Sequence, residues 1–151
     1  MARQTAKSGG AARGALAQGM LPRLLGYRLR LAQQTVFRDF AASVHGLSPG
    51  RVGMLTLIEA NPGVTQSRLA TAVGLDRSTL VGVLDMLQSR GLIERRRGED
   101  RRTNGLWLTR KGRSLLERAK RRITLHERRV ASHLSAVERT QLFALLEKLT
   151  R

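Results

Sequence analysis

The chain has 151 residues, of which 41% are hydrophobic, enough for one domain or for one domain with an oligomerisation extension. Its 28 basic and 11 acidic residues give a formal net charge of +17, and 24 of the basic residues are arginine. This balance predicts a polyanionic partner, with nucleic acid favoured over an anionic membrane surface. The chain has no cysteine, which excludes disulfides, thiolate metal sites and thiol-based redox switches.

The N-terminal segment is rich in alanine, glycine and basic residues. Residues 1–19 contain no acidic residue and predict a flexible basic arm, which either touches nucleic acid or is an ordinary frayed terminus. This segment lacks the apolar run of a secretory signal, and the whole sequence lacks an apolar stretch long enough for a membrane span. We expect a soluble, cytoplasmic protein.

Two helices are predicted after the arm. Apolar residues at steps of three and four predict a long helix from Leu21 to Gly46, and the stripe consists of Leu21, Leu25, Leu29, Ala32, Val36, Phe40 and Val44. A shorter helix follows Ser48, which is a favourable N-cap. Pro49 is tolerated in its first turn, and the "NPG" at residues 61–63 ends it.

The next stretch, "VTQSRLATAVGLDRSTLVGVLDMLQSRGL", predicts two helices separated by a tight turn. Thr65 is a suitable N-cap for the first helix, and Gly74 suits the left-handed residue that ends it. Asp76 then caps a second helix, whose apolar face carries Leu80, Val83, Leu84 and Leu87, with Ser78, Gly82, Asp85 and Ser89 on the opposite face. This arrangement is a helix-turn-helix.

A β-hairpin is predicted directly after it, with "LIERR" and "GLWLT" as strands around the loop "RGEDRRTN". The combination predicts a winged helix. A charged helix from Arg110 to about Val130 follows, then a capping box at Ser135 and Glu138, and a last helix with a stripe of Leu142, Leu145, Leu146 and Leu149.

The predicted fold is therefore mainly α with a small β-hairpin wing, a winged helix-turn-helix flanked by N- and C-terminal dimerisation helices. We divide it into a basic arm (1–19), an N-terminal dimerisation helix (20–46), a DNA-binding lobe (47–112) and C-terminal dimerisation helices (113–151), all forming a single domain. A second copy of the chain is the simplest cover for the terminal leucine stripes; the alternative is that the first and last helices pack on each other within one chain.

Candidate DNA contacts follow from this arrangement, because helix-turn-helix proteins read base edges from the start of the second helix. The candidates there are Arg77, Ser78, Thr79, Val81 and Gly82. Gly82 either lets the helix approach the groove closely or is a tolerated change at a position without contacts. Gln66, Ser67 and Arg68, in the first turn of the preceding helix, suit a phosphate.

The wing adds a cluster of arginines that the negative potential of a minor groove attracts. The candidates are Arg95, Arg96, Arg97, Arg101 and Arg102, and Asp100 is expected to orient a neighbouring guanidinium. The alternative for any one of these arginines is an ordinary solvated position.

At this point the residues resemble a known family. "DRRTNGLWLTRKG" is similar to the D-R-R-x-x-x-x-x-L-T-x-x-G wing signature of the multiple-antibiotic-resistance regulator (MarR) family, and "STLVGVLDMLQSRGLIER" resembles its recognition helix and following strand. The resemblance covers residues 20–150. It implies a homodimeric winged-helix transcription factor, usually a repressor, on a pseudo-palindromic operator, with Asp100 steadying Arg102. The peroxide-sensing branch needs a reactive cysteine and is excluded.

The resemblance also implies a small-molecule effector, either an anionic aromatic acid or an aromatic acyl-CoA thioester, bound between the dimerisation helices and the DNA-binding lobe. By position, Arg23, Tyr27, Arg51 and Met54 fall near that junction. The alternative for each of these residues is ordinary surface or core packing.

Catalysis has little support in the sequence. His126 and His133 are placed to share a helix face, but no carboxylate accompanies them at metal-ligand spacing, so we expect no metal, no cofactor and no enzymatic activity. The competing function is a non-specific basic nucleic-acid-binding architectural protein, which would share the charge but not discriminate an operator. A nuclease is disfavoured because no carboxylate cluster is present.

Overall fold

The structure, a computed structural model, describes residues 16–97 and 104–150. Within these residues there are six α-helices and a three-stranded antiparallel sheet. The helices are α1 (Leu25–Ser43), α2 (Pro49–Ala60), α3 (Gln66–Val73), α4 (Arg77–Ser89), α5 (Arg110–Val130) and α6 (Ala136–Leu149); the strands are β1 (Val64–Thr65), β2 (Ile93–Arg97) and β3 (Asn104–Leu108). The predicted fold class, mainly helical with a small β wing, is confirmed.

The chain divides into two compact units, one ending at Gln34 and the other beginning at Thr35. In the first, a 3-10 turn over Leu21–Arg23 precedes α1. The prediction that one helix runs from Leu21 to Gly46 is wrong at both ends. Leu24 is extended (φ −86°, ψ 126°), and the Pro22 carbonyl accepts a hydrogen bond from Arg28 Nε at 2.8 Å instead of a helical main-chain bond. At the other end the helix stops at Ser43.

The core lies in the second unit and is almost entirely aliphatic. Helix α2 begins as predicted, with Ser48 accepting from the backbone N–H of Arg51, and it buries one face. The end of α1, helices α2 to α5 and the sheet each contribute, through Phe40, Val44, Leu47, Val52, Met54, Leu55, Ile58, Leu69, Leu80, Leu84, Leu87, Leu92, Ile93, Leu106, Leu108, Leu116 and Ala119. Burial of this apolar surface is the main term that stabilises the unit.

The sheet has the order β1-β3-β2. The hairpin predicted from the sequence is confirmed, with Ile93 opposite Leu108 and Arg95 opposite Leu106. Strand β1 was not predicted. It has only two residues, Val64 and Thr65, and is defined by its pairing with Leu106 and Gly105, some 40 positions away, rather than by a local pattern.

The two C-terminal helices begin at predicted caps. Thr109 accepts from the backbone N–H of Gly112 at the start of α5, and Ser135 forms a capping box with Glu138 at the start of α6. Helix α6 contributes no buried residue to the described part of the chain. In that same part of the chain, no helix combines the length and apolar character needed to cross a membrane.

Candidate nucleic-acid interface

The helix-turn-helix is built by capping side chains at both ends of a tight turn. Thr65 begins α3 by accepting from the backbone N–H of Arg68. Gly74 ends α3 in the left-handed region (φ 66°, ψ 30°), where a Cβ would be strained. Three residues later α4 begins. The turn therefore fixes the direction of α4 through conformations that the local sequence specifies.

Asp76 holds the start of α4 with three hydrogen bonds. Its carboxylate accepts from the Thr79 backbone N–H at 2.9 Å, the Ser78 hydroxyl at 2.5 Å and the Thr79 hydroxyl at 2.6 Å. The Ser78 hydroxyl contributes most to holding the pKa of the Asp76 carboxyl far below its usual range. Both hydroxyl protons point at the cap, so Ser78 and Thr79 present acceptor lone pairs rather than donors to a ligand.

Helix α4 has one buried and one exposed face, as the sequence predicted. Leu80, Leu84 and Leu87 are completely buried. The exposed face carries Arg77, Ser78, Gly82, Asp85 and Ser89, while Val81 is half-buried. In the first turn of α3, Ser67 and Arg68 are exposed and Gln66 is half-buried. The side chains predicted to face DNA thus include an exposed stripe, and their contact with DNA stays a prediction.

The base of the wing is fastened to the start of α5. The Thr109 hydroxyl donates to the Gly91 carbonyl at 2.7 Å, and the Thr109 N–H donates to the Leu92 carbonyl at 3.1 Å. Gly112 lies so close to this segment that a Cβ would sit 2.0 Å from the Leu92 carbonyl oxygen. Thr109 and Gly112 are the threonine and the final glycine in the L-T-x-x-G part of the wing signature. The hydrogen bond to Gly91 requires the Thr109 hydroxyl, and the close approach of Leu92 leaves no room for a side chain at Gly112.

The first wing strand sends its arginines in alternating directions, as strand geometry requires. Arg95 reaches back to α4: its Nη2 lies 2.6 Å from Asp85 Oδ1 and its Nη1 2.6 Å from Gln88 Oε1. Arg96 points the other way, pairs with Glu94 and lies over the Trp107 ring, 5.6 Å from its centroid. The sequence grouped these arginines as lining one strand, but they occupy different surroundings.

The remaining wing candidates are only partly covered by the structure. Arg97 is exposed at the end of β2. Asp100, Arg101 and Arg102 lie outside the described residues. The proposed pairing of Asp100 with a wing arginine therefore stays a prediction.

A second polar cluster joins the end of α1 to α5. His126 is 1% exposed, and its Nδ1 lies 2.6 Å from Asp39 Oδ1. Arg129 donates to both oxygens of Asp39, through Nη2 at 3.0 Å and Nε at 3.2 Å, and also contacts the Ser43 hydroxyl. The hydrogen bonds from Arg129 first, and from His126 second, lower the pKa of Asp39 from 3.8 to about 2.

This cluster borders a cavity of about 490 Å³ lined by Asp39, Ala42, Ser43, Arg122, Leu125 and Arg129. A neighbouring cavity of about 220 Å³ also reaches Arg122, together with Arg118 and His45. Arg122 Nη1 donates to the Ser43 carbonyl at 3.2 Å and lies 3.2 Å from His45 Nδ1. Cationic and apolar groups therefore line the same concave surface.

The effector candidates from the sequence are not among the residues that line these two cavities. Arg23 is exposed and Tyr27 half-buried in the N-terminal unit, where the Tyr27 ring has Arg30 at 5.0 Å from its centroid. Arg51 is half-buried in α2, whereas Met54 is 4% exposed and belongs to the hydrophobic core. Core packing, the alternative considered for Met54, describes its surroundings, and the effector role of all four stays a prediction.

The Asp39–His126 pair was not predicted from the sequence, and the predicted position of His133 on a helix face shared with His126 is wrong. His133 lies beyond the end of α5, so it does not share a helix face with His126. The burial of His126 had a signal: it falls in the apolar series Leu116, Ala119, Ile123, His126, Val130. Its partner, Asp39, is 87 positions away, and no pattern in the sequence indicated that the two residues pair. The described residues contain no group of three or more His, Asp or Glu side chains placed to hold a metal ion.

The sequence and the fold of this chain resemble those of known proteins. A sequence profile of the MarR family matches residues 45–103. A Thauera aromatica protein named for transcriptional regulation of the hcr operon is 38% identical over 140 residues, spanning 90% of this chain and 84% of that protein. This chain belongs to the MarR family. It is a DNA-binding transcriptional repressor of that family and not an enzyme, and the MarR family is dimeric.

Two solved structures of the transcriptional repressor CouR resemble this chain along most of its length. CouR bound to a 23-mer DNA duplex is 41% identical with a TM-score of 0.85, and the match covers 91% of this chain and 100% of that one. CouR bound to p-coumaroyl-CoA is 39% identical with a TM-score of 0.85, covering 91% and 99%. CouR, which shares the fold of this chain, therefore binds both a DNA duplex and an aromatic acyl-CoA.

Proposed function

We propose that this MarR-family repressor acts as a cytoplasmic homodimer that binds a pseudo-palindromic operator and releases it when an aromatic acyl-CoA thioester binds. The similarity to CouR carries the proposal, because CouR structures contain both a DNA duplex and p-coumaroyl-CoA and match this chain over nine-tenths of its length. A simpler aromatic acid is the other effector class that the sequence suggested. The experiments below separate the two.

The proposed dimer surface consists of the terminal helices, residues 20–46 and 113–151. Helix α6 exposes Leu142, Leu145, Leu146 and Leu149. The N-terminal unit exposes leucines 21, 24, 25, 29 and 31. Apolar residues in such numbers on the surface of one chain favour a protein partner, and in a dimeric family a second copy is that partner. Residues 47–112 would then act as the DNA-binding lobe.

The proposed DNA site combines the exposed face of α4 with the wing. An α-helix fits the major groove, and Arg77, at the start of α4, is exposed and has the geometry to bind guanine bidentately. The wing would follow the backbone to the adjacent minor groove, with Arg97 and the arginines beyond it supplying charge. In a dimer, each subunit's α4 and wing would contact one of two operator half-sites.

The proposed effector site is the cavity beside Arg122 and Arg129. A coenzyme A thioester carries phosphates, which guanidinium groups bind through paired hydrogen bonds, together with an aromatic acyl group that suits apolar walls such as Ala42 and Leu125. Because Arg122 borders both cavities, it is the side chain that we expect to contact the effector's phosphates.

The DNA half of the proposal is tested by selecting the tightest-bound fragments from a genomic library and measuring affinity for the selected duplex and for a shuffled one. We expect preference for the selected duplex, with each neutralised phosphate adding about −0.9 to the slope of log affinity against log salt. Equal affinity for both duplexes would instead support the non-specific architectural protein.

The effector half is tested by adding p-coumaroyl-CoA, free p-coumarate or coenzyme A to the protein–operator complex. We expect the thioester to release DNA at a lower concentration than either component. Arg122→Ala should weaken that response, whereas Arg128→Ala, which removes the same charge from an exposed position of α5 that does not line the cavity, should not. Release by p-coumarate as readily as by the thioester would contradict the acyl-CoA assignment and favour an aromatic acid.

A further inference from the structure

The contact between the first wing strand and the recognition helix has a role that the sequence did not indicate. Arg95 was a candidate DNA contact, but its side chain is 21% exposed and both terminal nitrogens are engaged with α4. Its Nε is buried and meets no acceptor among the described residues. The Arg95 guanidinium thus binds the side chains of Asp85 and Gln88 on α4, while its Nε–H is left without an acceptor.

The partner carboxylate lies where DNA would be expected. Asp85 is on the exposed stripe of α4 that also carries Ser78 and Gly82, and its side chain is 59% exposed. A free carboxylate on a face turned toward phosphates would repel them. Arg95, 2.6 Å away, compensates that charge.

The pair also connects the two DNA-binding elements. Asp85 is eight residues after Arg77, which places it about 12 Å along the helix axis from the start of α4. Arg95 is opposite Leu106 in the hairpin, and Leu106 is fully buried. Two hydrogen bonds to one planar guanidinium restrict how the wing can turn relative to α4.

We propose that Arg95 is a positioning residue for operator recognition: held by Asp85 and Gln88, it fixes the wing against the recognition helix instead of contacting DNA. Gln88 is one turn beyond Asp85 on α4, so the two acceptors match the spacing of the guanidinium fork. The inference rests on the proposed operator binding.

Asp85→Asn distinguishes positioning from direct contact because the two predict opposite signs. If Arg95 positions the wing, operator affinity should fall about tenfold, a change that corresponds to part of one charge-assisted hydrogen bond, while affinity for random duplex should stay equal or rise. If Arg95 binds phosphate, removing Asp85 would free it and remove a repelling charge, so affinity for both duplexes would rise.

Three further variants test the geometry. Arg95→Lys keeps the charge but loses the fork that spans two acceptors, so operator preference should fall while the salt slope is unchanged. The exchange Asp85→Arg with Arg95→Asp should recover part of that preference. Arg110→Lys, which keeps the charge at an exposed position of α5 that is not among the candidate DNA contacts, is the control and should leave operator preference close to wild type.

Thermal unfolding is recorded for each variant, so that a loss of folded protein is not mistaken for a loss of recognition. Increased affinity of Asp85→Asn for both duplexes, or unchanged operator preference in both Asp85→Asn and Arg95→Lys, would overturn the positioning role alone. A wild-type protein without any operator preference would overturn the operator proposal together with it.

Discussion

Gly112→Ala is expected to destabilise the protein strongly, although it replaces a glycine within a helix by the best helix former. The added Cβ would lie 2.0 Å from the Leu92 carbonyl oxygen and 2.9 Å from its carbon. These are backbone atoms, which the hydrogen bond from the Thr109 N–H to the same carbonyl holds in place at 3.1 Å. Either α5 or the backbone at Leu92, just before β2, must therefore move.

The magnitude follows from two opposing contributions. Overpacking a buried site costs about 1–3 kcal/mol, and a backbone obstacle places this case at the upper end. The helix propensity of alanine returns about 0.8–1.0 kcal/mol. The free energy of unfolding should thus fall by about 2 kcal/mol, which for a chain of this length lowers Tm by about 4–8 °C.

The assay is thermal unfolding followed by circular dichroism at one fixed protein concentration, since the proposed dimer would make Tm depend on concentration. Gly53→Ala is the matched control: Gly53 is an exposed helical glycine with open space around its Cβ position, so its Tm should rise by about 2–4 °C. If Gly112→Ala unfolds at or above the wild-type temperature while the control behaves as stated, the packing argument fails.

Four more predictions concern other regions. Gly82→Ala, with open space at the Cβ position, should raise stability by about 0.5–1 kcal/mol yet weaken operator binding; unchanged operator affinity would show that the exposed face tolerates a methyl group there. Asp39→Asn should be less stable than wild type above pH 4. The difference should shrink as pH falls from 3.8 toward about 2, because the Asp39 carboxyl, whose pKa is lowered, stabilises the fold only while it is ionised. A difference in urea midpoints that does not change with pH would contradict this. Leu145→Asp should shift the protein from dimer to monomer in analytical ultracentrifugation, and an intact dimer would exclude this leucine from the interface. Arg102→Ala should weaken operator binding by about 1–3 kcal/mol, measured by fluorescence anisotropy at physiological salt, and wild-type affinity would contradict the account of the wing.

The sequence predicted most of the fold because its signals are local. Thr65, Asp76 and Ser135 each cap a helix through a backbone N–H three residues later, so a short stretch of sequence specifies each boundary. Gly74 adopts the expected left-handed conformation for the same reason. Thr65, Gly74 and Asp76 define the helix-turn-helix without reference to the rest of the chain.

What could not be predicted depends on residues that are distant in sequence or on the direction of a side chain. The Asp39–His126 contact joins positions 87 apart, and no local pattern pairs them. Arg95 and Arg96 are neighbours of identical chemistry, but strand alternation sends one to α4 and the other to Trp107. Consecutive arginines therefore indicate the charge of a wing but not which of them remain free for a ligand.

If α6 forms the proposed dimer surface, its leucines would link the amount of this protein to its persistence in the cell. A helix whose leucines stay exposed within the described part of its own chain would gain stability from the subunit that covers it in the proposed dimer. When copies are scarce, unpaired subunits would expose this segment to proteases, which would remove the subunits before they accumulate. Repression would then set in above a threshold number of molecules instead of in proportion to expression.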